Sequence, residues 1–290
     1  MSVDLDRIVA IDVHVHAERN EGIPQDAVTA EVLAAAAAYF GGSPPQPTAR
    51  EVADHYRQRN MLAVVFTVDD EAGMGRPRLG NDEVLQAARE NPDVLIPFGS
   101  VDPHKGKLAV HEARELVAAG VRGFKFHPNT QAFWPDDRAH YPLYEVIAEA
   151  GLIALFHSGT TGIGAGMPGG GGVHLKYSDP MRVDDVAADF PELDIILAHP
   201  SFPWQDEALA IAVHKPNVYI DLSGWSPKYF PENLIQYTNT RLKHKMLFGS
   251  DYPLITPDRW LADFAKLPIK DEVRPLVLKL NAARLLGLTT

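Results

Sequence analysis

The chain has 290 residues, of which 46% are hydrophobic and 22% charged, a composition typical of a globular protein with a core of normal size. The formal net charge of −11 argues against a nucleic-acid or anionic-membrane partner, because both require a basic surface. There is no cysteine, so disulfides are excluded and any metal must be bound by nitrogen and oxygen ligands. The acidic N-terminus lacks a signal-peptide pattern and no apolar run could span a bilayer, which predicts a cytoplasmic protein.

Short β-branched runs alternate with helical stretches along the chain. The predicted strands span residues 8–14, 63–68, 94–100, 121–127, 152–157, 194–199, 218–222 and 246–250. The predicted helices between them span residues 48–60, 81–90, 107–119, 141–150, 184–190, 206–214, 231–240 and 257–264. This alternation indicates a parallel sheet with helices outside it. Eight strands, with no Gly-rich dinucleotide fingerprint after the first, favour an α/β fold of the (β/α)8 TIM-barrel type, a single domain over residues 1–290.

Two stretches interrupt this alternation. Residues 17–47 follow the first strand and hold an Ala-rich predicted helix at 26–40, so we expect an insertion at the barrel mouth; the alternative is a plain surface excursion. Residues 158–180 follow the fifth strand and contain Gly-Ile-Gly-Ala-Gly-Met-Pro-Gly-Gly-Gly-Gly. This order of glycines matches neither common phosphate-binding motif, so residues 162–174 predict a mobile lid rather than a phosphate loop. Residues 281–288 predict a short helix that packs on the barrel.

Several of the twelve histidines lie at predicted strand ends, namely His14 and His16 on the first strand, His127 on the fourth, His157 on the fifth and His199 on the sixth. Asp251 follows the eighth strand. The C-terminal ends of all strands of a (β/α)8 barrel meet at the face that carries the active site. His14 and His16, at positions i and i+2 of a strand, point to one face and can share a metal ion. The set therefore predicts a metal centre in preference to core packing.

These residues resemble those of the amidohydrolase superfamily. The contexts Gly-Phe-Lys-Phe-His-Pro, Ala-His-Pro and Phe-Gly-Ser-Asp-Tyr-Pro look like its aminocarboxymuconate-semialdehyde decarboxylase branch, amidohydrolase family 2, and the similarity covers nearly the whole chain. The resemblance implies that one divalent metal ion is bound by His14, His16, His157 and Asp251. It also implies that His199 acts on the substrate. Some related decarboxylases have Glu in place of the first histidine, whereas this chain has His14.

The implied roles fit the ligand chemistry. Three imidazoles and a carboxylate with an open position suit Zn²⁺, with Mn²⁺ as the alternative. Such an ion lowers the pKa of its bound water to roughly 7 and polarises a carbonyl. Asp251 could accept the proton of that water, and His199 could polarise a carbonyl or deliver a proton. Elsewhere in the superfamily a carboxylated lysine on strand four bridges two metals, so Lys125 makes a second metal ion one alternative. The other alternative is that Lys125 holds a substrate anion or a neighbouring carboxylate. His127 is expected to be a further substrate contact.

The resemblance extends to the reaction. Phe-Trp-Pro-Asp-Asp-Arg, Gly-Met-Pro-Gly-Gly-Gly-Gly and Leu-Ser-Gly-Trp-Ser-Pro-Lys-Tyr-Phe look like the hydrolases of 4-hydroxyphenyl-β-ketoacyl-CoA. This implies a metal-dependent retro-Claisen hydrolysis to an aromatic acid and acetyl-CoA, with His199 or Asp251 protonating the enolate. The same centre could instead support non-oxidative decarboxylation of an aromatic or unsaturated carboxylic acid. A non-catalytic metal- or ligand-binding barrel is a third alternative, against which the intact ligand set argues.

A CoA substrate requires basic residues beside the barrel mouth. The net charge of −11 repels its phosphates, and only cations within a screening length of about 8–10 Å would offset this in physiological salt. The candidate cations are Arg138, Lys176, Arg182 and Lys228. Lys228 is favoured because Trp225 is close in sequence and could stack on the adenine or pack against the aryl group. Placement of all four away from the mouth would favour a small aromatic acid and decarboxylation. We also expect a homo-oligomer, most simply a dimer.

Overall fold

The parallel strands form a closed barrel in the computed structural model, which describes residues 4–22 and 24–288. The strands of this described part are β1 (Ala10–His16), β2 (Met61–Phe66), β3 (Leu95–Pro97), β4 (Gly123–Phe126), β5 (Ile153–His157), β6 (Asp194–Ala198), β7 (Val218–Asp221) and β8 (Met246–Leu247). Regular pairing gives one ladder from β1 to β3 and another from β4 to β8. Parallel bridges between Val15 and Tyr252 and between Gly99 and Phe124 join the two ladders. The predicted (β/α)8 barrel is therefore confirmed.

Helices follow the strands around the outside of the barrel. They are α1 (Ala27–Phe40), α2 (Ala49–Arg57), α3 (Glu71–Met74), α4 (Asn81–Glu90), α5 (Lys107–Ala119), α6 (Pro128–Gln131), α7 (Tyr141–Glu149), α8 (Met181–Asp189), α9 (Gln205–His214), α10 (Glu232–Thr238), α11 (Pro257–Phe264) and α12 (Asn281–Leu285). The side chain of Asp26 caps α1 by accepting a hydrogen bond from the Thr29 N–H at 2.9 Å. Helix α2 begins with a reciprocal capping box between Thr48 and Glu51. Among the described residues, none of the helices is both long and apolar enough to cross a membrane.

The strand boundaries differ from the prediction where local chemistry interrupts pairing. Strand β1 extends to His16, two residues beyond its predicted end, so both histidines lie inside it. A bulge between Asp12 and Val15 adds a residue to β1, and the rings of His14 and His16 lie 5.2 Å apart. Strand β3 ends at Pro97 rather than at residue 100, since a proline has no N–H to extend the ladder. Strand β8 is also shorter than predicted.

Alternate side chains of the strands build two apolar layers. On β2, Leu62, Val64 and Phe66 belong to the smaller core cluster, which also includes buried residues of β1, β3, β5, β6 and β8. Met61, Ala63 and Val65 of the same strand belong to the larger cluster that includes side chains of the surrounding helices. Burial of each large aliphatic side chain contributes about 1.5–3 kcal/mol. The apolar barrel interior thus supports the polar side chains that end the strands.

Candidate metal centre and cavity

Side chains from the ends of β1, β6 and β8 meet at one point. His14, His199 and Asp251 each offer a ligand atom, and these atoms all lie within 4.8 Å of one another. The Nε2 atoms of His14 and His16 are each 3.3 Å from Oδ1 of Asp251. The Nε2 atom of His199 is 3.0 Å from Nδ1 of His157. The structure therefore brings together all the predicted metal ligands and the predicted catalytic histidine.

His157 provides the test of whether these residues fit a metal ion. Its side chain is 4% exposed, and its Nε2 has no hydrogen-bond partner in residues 4–22 and 24–288. A buried polar atom without a partner is costly, so an imidazole nitrogen left in this state fits a metal ligand. The group of three whose ligand atoms lie within 4.8 Å of one another contains His199, whereas the resemblance implies His157 as the ligand. The assignment of the ligands stays a prediction.

The protonation states suit cation binding. Burial and the neighbouring Lys125 lower the pKa of His14 to about 3. Burial likewise lowers the pKa of His157 well below its ordinary value. Burial raises the pKa of the Asp251 carboxyl, but the hydrogen bond with His16 and the neighbouring His14 and His199 together outweigh burial, and the pKa lies well below the usual range. Neutral imidazoles and an ionised carboxylate are the forms that bind metals.

Asp221, at the end of β7, is a residue that sequence reasoning missed. Its side chain is 0% exposed, and its Oδ2 lies 2.8 Å from Nδ1 of His14. Its Oδ1 accepts hydrogen bonds from the N–H of Ser223 at 2.9 Å and from the Ser223 hydroxyl. The available signal was a carboxylate in the last position of an apolar strand, Val-Tyr-Ile-Asp, at the active-site end of the barrel.

Asp12 is a second buried carboxylate to which the sequence reading gave no role. It accepts hydrogen bonds from the Tyr56 hydroxyl at 2.7 Å, from the Ser250 N–H at 3.0 Å and from the His14 N–H at 3.1 Å. Burial raises the pKa of Asp12 to about 7, and the hydrogen bonds from Ser250 and Tyr56 oppose that rise. Asp12 therefore links β1, α2 and the turn that carries Asp251.

Lys125 lies beneath the centre rather than at its surface. Its side chain is 0% exposed, and its Nζ is 3.1 Å from Nε2 of His14. Burial lowers the pKa of Lys125 to about 8, opposed by Asp221 and Asp251. Lys125 contacts His14 and is not among the residues that line the cavity above the centre, and its role as a substrate contact stays a prediction. His127, two residues later on β4, does line the cavity, with its ring stacked 3.9 Å from that of His157.

A cavity of about 700 Å³ lies above the centre. His16, His127, His157, His199 and Asp251 are among its lining residues. Its other lining residues are mostly apolar and include Val32, Leu33 and Ala36 of α1, Ile163 of the Gly-rich segment, and Phe202 and Trp225. The predicted insertion at the mouth thus contributes a wall of the cavity. The predicted substrate contact Trp225 also lies there, with its ring 5.6 Å from that of Phe202.

The four predicted CoA-binding cations lie elsewhere. Arg138, Lys176, Arg182 and Lys228 are exposed, and none lines the cavity. Arg138 pairs with Asp189 at 3.2 Å and Arg182 with Asp136 at 2.8 Å. Lys176 lies over Trp134 and Lys228 over Tyr229. Acidic or aromatic neighbours contact each of these cations, and the expectation that Lys228 contacts the substrate stays a prediction.

The Gly-rich segment packs against the insertion. A Cβ atom added to Gly166 would lie 3.2 Å from the Tyr39 side chain of α1. Gly169, Gly170 and Gly171 have φ values of 61°, 65° and 62°, a left-handed turn that glycine adopts without strain. The segment therefore borders the mouth, and its opening and closing as a lid stays a prediction.

A parallel (β/α)8 barrel carries its active site at the C-terminal strand ends, and the histidines and carboxylate gathered there are suitable ligands for a divalent metal ion. Residues 11–288 match the family model described as Amidohydrolase, and the chain therefore belongs to the amidohydrolase family. This membership makes the protein a metal-dependent enzyme, either a hydrolase or a decarboxylase.

Individual relatives are distant. Protein fluG of Emericella nidulans is 31% identical over 99 residues, which cover 31% of this chain and only 11% of that protein's length. An uncharacterised TIM-barrel protein from Bordetella bronchiseptica is 24% identical with a TM-score of 0.78, over 96% of this chain and 98% of that one. The 5-carboxyvanillate decarboxylase of Sphingomonas paucimobilis is 18% identical with a TM-score of 0.67, over 97% and 99%. A probable 2-pyrone-4,6-dicarboxylic acid hydrolase from Acinetobacter baumannii is 16% identical with a TM-score of 0.63, over 96% and 99%. At these identities the three structures show the fold alone.

Proposed function

We propose that the protein is a metal-dependent, non-oxidative decarboxylase of an aromatic carboxylic acid. The observation that carries the proposal is the lining of the cavity, which is mostly apolar and includes none of the four cations that a CoA substrate was expected to need. The arginines that do line it, Arg19, Arg76 and Arg78, pair with Glu51, Asp70 and Asp69, respectively. A small aromatic acid matches such walls better than a polyphosphate does.

In this reaction the bond between the ring carbon and the carboxyl carbon breaks, and carbon dioxide leaves. The ring carbon keeps the electron pair and takes up one proton. The ion that we propose is Zn²⁺, with Mn²⁺ as the alternative; held by His14, His16, His157 and Asp251, it supplies positive charge that orients and polarises the substrate.

The remaining roles belong to the chain. His199 is 5% exposed and lines the cavity, and its Nδ1 lies 2.8 Å from the Ser223 hydroxyl, so its ring is held where Nε2 can take up a proton and pass it to the substrate. Trp225 and His127 offer ring faces to an aromatic substrate. The apolar side chains of α1 border the cavity and lower the local polarity, which favours loss of a charged carboxylate.

Retro-Claisen hydrolysis of an aryl β-ketoacyl-CoA is the second candidate, and the size of the cavity favours it. Pockets of roughly 300–1,000 Å³ accommodate drug-sized ligands, so a cavity of about 700 Å³ leaves room for an acyl chain beside the ring. Here water adds its hydroxyl to the aryl ketone carbon and the adjacent C–C bond breaks. The enolate of acetyl-CoA takes the proton, and the products are an aromatic acid and acetyl-CoA.

One assay separates the candidates. Metal-replete protein is incubated with a panel of hydroxybenzoates and, in parallel, with an aryl β-ketoacyl-CoA, while carbon dioxide and acetyl-CoA are measured. Metal-dependent release of carbon dioxide from a hydroxybenzoate supports the proposal, whereas release of acetyl-CoA replaces it with the second candidate. Tight metal binding without turnover of either group of substrates would favour the third alternative, a non-catalytic metal-binding barrel. The proposed dimer is tested by sedimentation of the same preparation.

A further inference from the structure

We infer that Asp221 is a positioning residue that sets the tautomers of both His14 and His199, through a direct hydrogen bond to the first and through Ser223 to the second. The inference concerns the centre used by the proposed function and rests on that function only in taking His14 as a metal ligand. The tautomers themselves are properties of the folded chain and require no substrate.

Both oxygens of the Asp221 carboxylate have hydrogen-bond partners. Its Oδ1 is approached by the backbone N–H of Ser223 at 2.9 Å, the backbone N–H of His199 at 3.3 Å and the Ser223 hydroxyl. Its Oδ2 is approached by Nδ1 of His14 at 2.8 Å. Backbone N–H groups can only donate, and an ionised carboxylate can only accept. Asp221 is therefore the acceptor in each of these hydrogen bonds.

The direct hydrogen bond to Asp221 determines the tautomer of His14. Because Asp221 accepts, the proton of His14 lies on Nδ1, and the lone pair lies on Nε2. The opposite side of the ring agrees, since the Lys125 ammonium group, which has donors only, lies 3.1 Å from Nε2. The same Nε2 is 3.3 Å from Oδ1 of Asp251. Asp221 thus turns the lone pair of His14 toward the centre.

The indirect branch fixes His199. The single hydroxyl proton of Ser223 is donated in the hydrogen bond to Asp221. The Ser223 oxygen can therefore only accept from Nδ1 of His199, which lies 2.8 Å away. The lone pair of His199 is then on Nε2. That atom accepts a hydrogen bond from Nδ1 of His157 at 3.0 Å. The lone pair of His157 is consequently on its buried Nε2, the atom that has no hydrogen-bond partner in the described part of the chain.

A single carboxylate therefore orients a chain of rings from β1 to β5. Partners that hold the second nitrogen of a metal-binding histidine typically change metal affinity by 10–100-fold when they are replaced. If Asp221 only stabilised the end of β7, its removal would lower the stability of the fold without changing which ring nitrogen carries the proton.

The test uses three variants. Asp221→Asn replaces one acceptor oxygen by an NH₂ group, so the four donors can no longer all be accepted. Ser223→Ala removes only the link to His199. Asp194→Asn is the matched control, because Asp194 is a half-buried carboxylate at the start of β6, away from the strand ends that form the centre.

The readouts are the ring ¹⁵N shifts of histidine-labelled protein loaded with diamagnetic Zn²⁺, and the Zn²⁺ affinity measured by competition with a chelator. We expect Asp221→Asn to change the His14 and His199 signals and to weaken Zn²⁺ binding about 10–100-fold. Ser223→Ala should change the His199 and His157 signals and leave that of His14. The control should match the wild type in both readouts.

Unchanged His199 signals in Ser223→Ala would overturn the inference, as would a His14 ring protonated on Nε2 in the wild type. Ser223→Ala keeps the test decisive should Asp221→Asn not fold. A protein that turns over neither substrate panel but shows the expected tautomers would disprove the proposed function alone.

Discussion

The floor of the cavity consists of the strand ends that carry His14, His199, Asp221 and Asp251, and its cover consists of α1 and residues 162–174. The two regions are held together by different kinds of contact. At the floor, His14 and Asp221 are 0% exposed and joined by hydrogen bonds that cross the barrel. In the cover, half of the residues of α1 are alanine, its Tyr39 is 65% exposed, and the segment it meets is mostly glycine. Polar groups at the floor depend on particular partners, whereas apolar contacts in the cover tolerate displacement. Changes at the floor should therefore affect chemistry, and changes in the cover should affect access.

Backbone conformation shows the same contrast. His199 and Asp251 have φ values of 71° and 65°, in the left-handed region that costs a non-glycine residue on the order of 1–3 kcal/mol. The packing and hydrogen bonds of the floor hold them there. The left-handed positions of the cover are glycines, such as Gly164 and Gly166, which incur no such cost. His199 and Asp251, to which we assign chemistry, therefore carry backbone strain, as do Asn60, Ala132 and Ser201 elsewhere in the described residues.

The largest expected effect is loss of the metal. Alanine at His14, His16, His157 or Asp251 should lower the metal content of the purified protein and abolish turnover, since each removes a predicted ligand. Elemental analysis of the four variants measures this. His111→Ala is the control, because His111 is 72% exposed and pairs with Glu115. Metal content at the wild-type level in all four variants would contradict the predicted centre.

The second-largest expected effect shows whether His199 is a metal ligand or a catalytic residue. His199→Ala should keep the metal and lose turnover by about 10²–10⁴-fold, the usual range for a general acid or base. Metal content and kcat are measured on the same preparation. Loss of the metal would instead make His199 a ligand, as its place in the tight group with His14 and Asp251 allows. A near-normal kcat would remove His199 from the mechanism.

A smaller effect is expected from crowding the His199 ring. A Cβ added to Gly224 would lie 2.5 Å from Nδ1 of His199, so Gly224→Ala should displace the ring and lower kcat. Gly151→Ala is the matched control, because Gly151 has a φ of 63° but no atom within 4 Å of the added Cβ. Both variants should lose on the order of 1–2 kcal/mol of unfolding free energy through left-handed strain. Equal kcat values in the two variants would show that the ring position does not matter.

Changes in the cover should affect the entry of substrate into the cavity rather than the chemical step. We expect limited proteolysis within residues 162–174 to slow when a substrate analogue is bound, because closure buries the segment. The rate of cleavage is followed with and without the analogue. A rate that is unchanged at saturation would argue against a lid.

The smallest effect is expected at Lys228. Because Lys228 is exposed and does not line the cavity, Lys228→Glu should leave KM and kcat for a hydroxybenzoate unchanged. Steady-state kinetics at low and high ionic strength test this. A rise in KM for an aryl β-ketoacyl-CoA that is strongest at low salt would favour the second candidate function, since screening weakens such contacts.

The sequence by itself determined the barrel and the residues gathered at its active-site end. The periodicity that predicts strands and helices depends only on residues close together in the sequence. The same is true of helix caps, such as Thr48 with Glu51 at the start of α2. The positions of His14, His157 and Asp251 at strand ends then follow from the rule that parallel strand ends converge. The Ala-rich helix of the insertion was likewise predictable from composition, and α1 confirms it.

Only the tertiary structure decided which groups hold these residues in place. Asp221 and His14 are 207 residues apart in the chain, and their contact depends on barrel closure and on the bulge in β1. The partners of the cations expected at the mouth could not be predicted for a similar reason: Arg182 pairs with Asp136, 46 residues away. A local pattern gives the type and spacing of side chains, but the partner of a long polar side chain is chosen by strand register and by the packing of distant elements, which no short stretch encodes.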